Sequence, residues 1–194
     1  MLKKNKQICI FIFVIMMMAG IVARIVWVNR HARIPENKIY AMGESLYKDG
    51  FTYTIQDAVL YYPSDFEKVY TNGSKYIAGR SDDNLRVMVV KIKLELDGDS
   101  NSRFSTPDNY LEAEDVLCMV DNDNFGGFNP SLSEGNFRSG DLLNYVFPIY
   151  KENYTEKGWE KINNLQMNYD IVYSNYPIRE CMDVGTERWY EETE

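Results

Sequence analysis

The chain has 194 residues, with 29 acidic side chains against 21 basic ones, a single histidine and three cysteines. The charge is unevenly placed: residues 1–34 hold six Lys or Arg and no acid, so residues 35–194 carry 15 basic and 29 acidic side chains, a net of −14. That part lacks the basic face that phosphates need, which excludes nucleic acid as a partner and opposes a flat seat on anionic lipid.

In chain order, a basic segment over residues 1–7 carries Lys3, Lys4 and Lys6. It precedes residues 8–28, ICIFIFVIMMMAGIVARIVWV, in which Arg24 is the one charge. A helix of that length rises about 30 Å, the thickness of a bilayer's hydrocarbon core. Two readings compete, a removed signal peptide and an uncleaved anchor. Ile21-Val22-Ala23 matches the small-x-small cleavage pattern poorly, and the run exceeds the ~7–15 residues of a signal's apolar region, which favours a single-pass anchor. Arg24 lies near the end of the run, where it can snorkel to headgroups beside Trp27. Arg30, Arg33 and Lys38 nearly balance the N-terminal lysines, but long domains translocate largely regardless of charge. The expectation is a cell-membrane protein with its N-terminus in the cytoplasm and its domain outside.

Residues 29–43 read as a juxtamembrane linker, basic at first and broken by Pro35. Residues 44–186 read as the folded domain. Leu46-Tyr47, Lys48-Asp49-Gly50 and the residues from Phe51 give a hairpin with Asp-Gly at its turn. Phe51, Tyr53 and Ile55 alternate with polar residues in a strand that runs to Tyr61. Pro63 ends it, and Ser64-Asp65-Phe66-Glu67 matches a capping box for a turn or two of helix to Tyr70. A short strand is expected at 75–78 and a turn at Ser81–Asn84. Residues 85–96, LRVMVVKIKLEL, form the clearest strand, and its apolar phase changes at Val89-Val90, which predicts a bulge. A polar loop covers 97–109 and a strand 116–120. A long loop with Gly126-Gly127 covers 121–136. Alternating strands follow a turn at Ser139–Asp141 and again over Leu165–Tyr173. Trp159 sits between them in a polar connection or short helix, and 178–184 closes the domain. Residues 187–194, ERWYEETE, read as a frayed acidic tail.

Some seven or eight strands with turns between them, and abundant Tyr and Phe, point to a mainly β domain: an antiparallel immunoglobulin-like sandwich. The membrane segment, DGFTYTIQDAVLY, RVMVVKIKLELDGD, FRSGDLLNYVFPIY and YDIVYSNYP together resemble the Ig-like domains of unknown function of Gram-positive membrane-anchored proteins and lipoproteins. Those are themselves similar to the mycobacterial immunoprotective extracellular protein. The resemblance covers most of residues 43–184 and implies the same fold. It assigns no catalytic residue, and the lipid-anchor cysteine of the lipoprotein members is missing here.

Candidate chemistry is sparse. The only histidine, His31, lies in the linker, which excludes ordinary Ser-His or Cys-His catalysis and His-ligated zinc within the domain. Cys118 shares a strand face with Val116 and Val120, whereas Cys181 shares one with Arg179 and Asp183. One thiol therefore points inward and the other outward, which opposes a bridge. Asp97, Asp99, Asn101 and Asp108 mimic a calcium loop, but Ser102 stands where that loop needs glycine and Asp108 where it needs a bidentate Glu. Asp121 and Asp123 begin a similar run that Phe125 interrupts. Ordinary turn chemistry explains both better. Glu112, Glu114 and Asp115 lie close together as a solvated loop, and nothing singles out a catalytic carboxylate pair. Tyr61, Tyr62, Tyr150, Tyr154 and Trp159 fall near strand ends and could form a binding face for peptide or glycan, although packing is their more common use. The sequence thus reads as a tethered, non-catalytic, cofactor-free interaction module whose partners are the membrane and a protein, peptide or glycan at the cell surface. The alternatives are an accessory subunit acting through its anchor helix and, less favoured, a carboxylate-based envelope hydrolase.

Overall fold

A computed structural model describes residues 2–31, 36–70, 80–96, 109–114, 116–133, 138–175, 177–185 and 187–191. The chain divides into two compact units, Met1–Pro35 and Glu36–Glu194. The first is one helix, α1 (Leu2–His31). Its segment Phe13–Arg30 has a mean hydropathy of 1.6, and the helix is long and apolar enough to cross a membrane. Lys3, Lys4 and Lys6, which precede the apolar run, are part of the same helix.

The second unit is mainly β. Its elements are β1 (Glu36–Tyr40), β2 (Ser45–Lys48), β3 (Phe51–Tyr61), α2 (Pro63–Val69), β4 (Leu85–Leu96), β5 (Tyr110–Ala113) and β6 (Val116–Met119). They continue with α3 (Phe125–Phe128), α4 (Pro130–Ser133), β7 (Asp141–Tyr150), a 3-10 turn at Lys151–Asn153, α5 (Glu156–Asn163), β8 (Asp170–Ser174), β9 (Ile178–Asp183) and β10 (Arg188–Trp189). One five-stranded sheet has the order β1-β9-β8-β5-β6; the other runs β10-β3-β4-β7, with β2 also on β3. Pairing is antiparallel except at β1–β9 and β10–β3. Side chains of both sheets meet in one core, with Ile55, Met88, Ile92, Tyr145 and Phe147 from the second sheet and Leu111, Cys118, Ile171 and Met182 from the first.

The β2–β3 hairpin forms as the sequence predicts. Asp49 and Gly50 take φ of 54° and 84°, the two positive values that a tight hairpin turn of matching twist requires. β3 reaches Tyr61 and β4 spans Leu85–Leu96, also as expected. The bulge expected in β4 is absent. Its ladder with β7 runs unbroken from Leu85–Tyr150 to Leu94–Asp141, and the register shift lies in β3, between Ile55 and Asp57. The extra residue, Gln56, moves the core-facing positions of β3 from Phe51 and Ile55 to Ala58 and Leu60. β4 looked as though its phase changed because its first half is buried on both faces. Met88 and Val90 enter the shared core, while Leu85, Val87 and Val89 enter a second core closed by Phe66 of α2 and Phe128 of α3.

Several other expectations are corrected. The linker of residues 29–43 contains β1, which adds to β9 with Ile39 opposite Cys181, so the compact unit begins at Glu36 rather than Glu44. The capping box does not form. Pro63 opens α2 after Tyr62, its fixed φ suiting the first helical position, and Ser64 instead donates its N–H and hydroxyl to Asp82. The long loop after residue 121 holds α3 and α4. Met167 and Tyr169 alternate into the core, yet the paired strand starts only at Asp170. The strand expected at 75–78 lies outside the described residues.

β7 is an edge strand, and its open side is blocked. Val146 O accepts from Asp121 N at 2.9 Å, and Pro148 has no N–H to offer. Asn129, 2% exposed, acts as a surrogate strand residue. Its Oδ1 accepts from Asn144 N at 2.7 Å, and its Nδ2 donates to Asn144 O at 3.0 Å and Phe125 O at 2.9 Å. Blocking of this kind prevents edge-to-edge association. Asn129→Ala strands three backbone groups, one buried and two half-buried, and is expected to cost about 2–4 kcal/mol, read as a lower urea midpoint together with concentration-dependent aggregation.

Candidate functional site

One end of the β10-β3-β4-β7 sheet gathers aromatic side chains. The register sets Tyr61 opposite Val87, Leu85 opposite Tyr150 and Trp189 opposite Leu60. Adjacent strand residues point to opposite faces, so Tyr61 and Tyr62 part company. Tyr61 is buried in the second core, edge-on to Phe66 and Tyr70 and stacked on Tyr190. Tyr62 turns to the other face and lies almost parallel to Trp189, centroids 4.6 Å apart at 10°.

Beneath that stack lies Arg86, in phase with Met88 and Val90 and only 5% exposed. Its guanidinium carbon stands 4.3 Å from the Tyr62 centroid, 4.8 Å from that of Trp159 and 5.7 Å from that of Trp189. Nε donates to Asn163 Oδ1 at 3.0 Å, and Nη1 donates to Leu85 O at 2.7 Å and to Asp82 O. Trp159 and Asn163 are one turn apart on α5 and reach the same group. Thr155 caps this helix by accepting from Gly158 N at 3.1 Å. No carboxylate among the described residues pairs with Arg86. Burial lowers its pKa, opposed by Tyr62 and the Asp82 and Asp83 charges, but a guanidinium stays charged. Three ring faces, two carbonyls and an amide hold that charge.

Beside the start of α5 is a hollow of about 290 Å³ lined by Glu114, Val116, Asn153, Tyr154, Thr155 and Gly158. Glu114 occupies a left-handed position, φ 53°, in the β5–β6 turn and pairs with Lys161. The Tyr154 hydroxyl lies 3.6 Å from Cys118 Sγ. Burial raises both pKa values, which favours the protonated phenol and thiol near neutral pH. Of the five aromatics singled out in the sequence, Tyr61 and Trp159 are buried, whereas Tyr62, Tyr150 and Tyr154 keep part of their surface. Arg80 covers the Tyr150 ring at 4.7 Å.

The two thiols are free and lie on opposite faces of the sheet, as the phases predict: Cys118 pairs with Leu111 in the core, and Cys181 pairs with Val172 on the far side. On that far face Glu112, Asp170 and Asp183 stand abreast across β5, β8 and β9. Arg179 joins them through Glu112 Oε2 at 2.7 Å. Burial and then the Asp183 charge raise the Asp170 pKa, and Arg179 lowers it. Glu112 is therefore a strand residue in an ion pair rather than a loop residue. No group of three or more His, Cys, Asp or Glu among the described residues could hold a metal ion. Asp97, Asp99, Asn101 and Asp108 lie outside the described residues. Asp121 accepts from Asn124, which is turn chemistry.

Sequence reasoning missed Arg86, Asn163, Trp189 and Glu187. Arg86 left a signal, a lone cation in phase with a strand's core face. Glu187 is 4% exposed, with Oε1 lacking a protein partner, as do the buried hydroxyls of Tyr145, Tyr169 and Tyr173. Burial raises the Glu187 pKa; its own backbone N–H opposes this and Asp183 adds to it. Compared with family models, with curated proteins and with solved structures, the chain matches none.

Two outcomes are expected. Arg86→Ala empties the box between three rings and lowers stability by roughly 2–4 kcal/mol. Arg86→Lys keeps the charge but loses the flat stacking and the Asn163 bond, and costs about 1–2 kcal/mol. Urea midpoints at unchanged slope measure both. With its folded pKa raised, Glu187 binds more protons folded than unfolded as pH climbs above 4.5, so stability falls through that window. Glu187→Gln should therefore raise the melting temperature at pH 7 by about 2–4 °C, and the gain should vanish below pH 4.5, the ordinary value of the group.

Proposed function

We propose that the chain is a membrane-tethered, extracytoplasmic binding module without catalytic activity, built on an immunoglobulin-like sandwich and belonging with the Gram-positive Ig-like domains that its sequence resembles. The apolar α1 supports the tether. The hollow beside α5 carries the binding half of the reading. It offers an aromatic ring at Tyr154, an amide at Asn153, a hydroxyl at Thr155 and a carboxylate at Glu114, a mixture suited to the hydroxyls of a glycan or the polar groups of a peptide.

The test has two parts. A tag after residue 194 should be lost when intact spheroplasts meet protease, while the untreated protein keeps the mass of the full chain; a protected tag would overturn the outward placement. Arrays of cell-wall glycan fragments and peptides, probed with the detergent-solubilised chain, should give hits that Asn153→Ala combined with Glu114→Ala weakens at least tenfold at an unchanged melting temperature. Hits that survive this change would move the site elsewhere.

A further inference from the structure

β3 divides one of its edges between two short partners. Ser45–Lys48 of β2 cover Phe51–Thr54, and Arg188–Trp189 of β10 run parallel to Val59–Leu60, with the Gln56 bulge between them. The backbone contributes little to holding β10: two residues in register and the bond from Tyr190 N to Leu60 O at 2.9 Å. The side chains contribute more. Trp189 lies on Tyr62 above Arg86. Tyr190 lies on Tyr61 in the second core, centroids 4.9 Å apart at 23°. Arg188 Nη2 donates to Asp57 Oδ2 at 3.0 Å. A backbone added along a sheet edge, with alternate side chains in separate aromatic sockets, is the physical form of peptide recognition by strand addition. Here the chain fills that site with its own segment.

The stretch that leads to that segment is closely packed at Gly185. Gly185 stands at φ 75°, and a side chain there would meet Met42 Sδ at 2.9 Å. Two residues later Glu187 buries a carboxylate with an unpartnered oxygen, within the field of Asp183 and of Tyr169, whose hydroxyl is also unpartnered. The sockets hold residues 188–190, while Glu187 just before them keeps a buried carboxylate oxygen without a protein partner.

We propose that the β3 edge is a strand-addition site at which two copies of this chain exchange residues 188–190, each lodging its Trp189 and Tyr190 in the sockets of the other. A second copy is the occupant because Arg188-Trp189-Tyr190 is the sequence these sockets are seen to fit, and a second copy brings it unchanged. Exchange preserves every socket contact and alters only the link, so little contact energy opposes it.

Disulfide trapping of the full-length protein in detergent tests the exchange. With Cys9→Ala as background, one tagged chain carries Val59→Cys and a differently tagged chain carries Arg188→Cys. These positions are partners in register, within disulfide reach for adjacent strands. Mixed chains should give a reducible dimer bearing both tags, more abundant at higher protein concentration and lost when the Arg188→Cys chain also carries Trp189→Ala and Tyr190→Ala. A chain with both cysteines should cross-link within itself and serves as the geometric control. Internal cross-linking without the mixed dimer would show that the segment stays in its own chain and would overturn the proposal. Absence of both cross-links would show that the segment does not lie on β3, and would overturn it too. Capture by the Val59→Cys chain of a cysteine-bearing peptide of residues 186–194, without mixed dimer, would replace the second copy with a foreign extended segment.

Discussion

A buried guanidinium with no carboxylate partner among the described residues is the constraint around which the domain's aromatic end is arranged. Arg86 cannot shed its proton, and leaving it bare in the interior would cost several kcal/mol. The surroundings must therefore supply negative potential from neutral groups, and they take it from four places in the sequence: Tyr62 at the start of α2, the carbonyls of Asp82 and Leu85, Trp159 and Asn163 on α5, and Trp189 on β10. Satisfying one charge thus ties a helix start, a turn, a second helix and a short strand to the first residues of β4. The ring faces do double duty, closing the hydrophobic core at this end while stabilising the cation.

The second organising fact is that the sheet containing β3, β4 and β7 is covered on both faces near this end. Phe66 and Phe128, from two very short helices, lie over Val59, Val87 and Val146. Neither helix is long enough to be stable alone; each persists because its aromatic side chains are buried. Phe125 and Phe128 of α3 enter different cores, so four residues lace the two sides of the sheet edge together.

The long strands were legible in the sequence: β4 because its apolar run is long and ends in polar turns, and β7 and the first half of β3 because burial on one face writes a period of two. The opposed phases of Cys118 and Cys181 were legible for the same reason. Short strands were not. β1, β5 and β10 are ENKIY, YLEA and RW, polar or brief, and owe their conformation to the strand beside them rather than to their own pattern. The reverse error arose over Leu165–Tyr169, where alternation is real but pairing is absent, since a chain can lie extended against a core without joining a sheet. At the candidate site, sequence reasoning selected Tyr62 and Trp159 as notable aromatics, but no spacing rule joins positions 62, 86, 159 and 189. That juxtaposition comes from topology, the two antiparallel returns β3–β4–β7 and the parallel addition of β10.

The Asn129 clamp has a consequence for how the protein ages. Asparagine converts spontaneously to aspartate when the backbone nitrogen of the following residue attacks the side-chain amide and closes a five-membered ring. At this position the change would replace the donor Nδ2 with an anionic oxygen facing the carbonyls of Phe125 and Asn144, unlocking the edge from within. The residue that follows is Pro130, whose nitrogen is already closed in its own ring and has no hydrogen to give up. The side chain that seals the sheet edge is thus shielded, by the identity of its neighbour, from the commonest chemical decay of its kind.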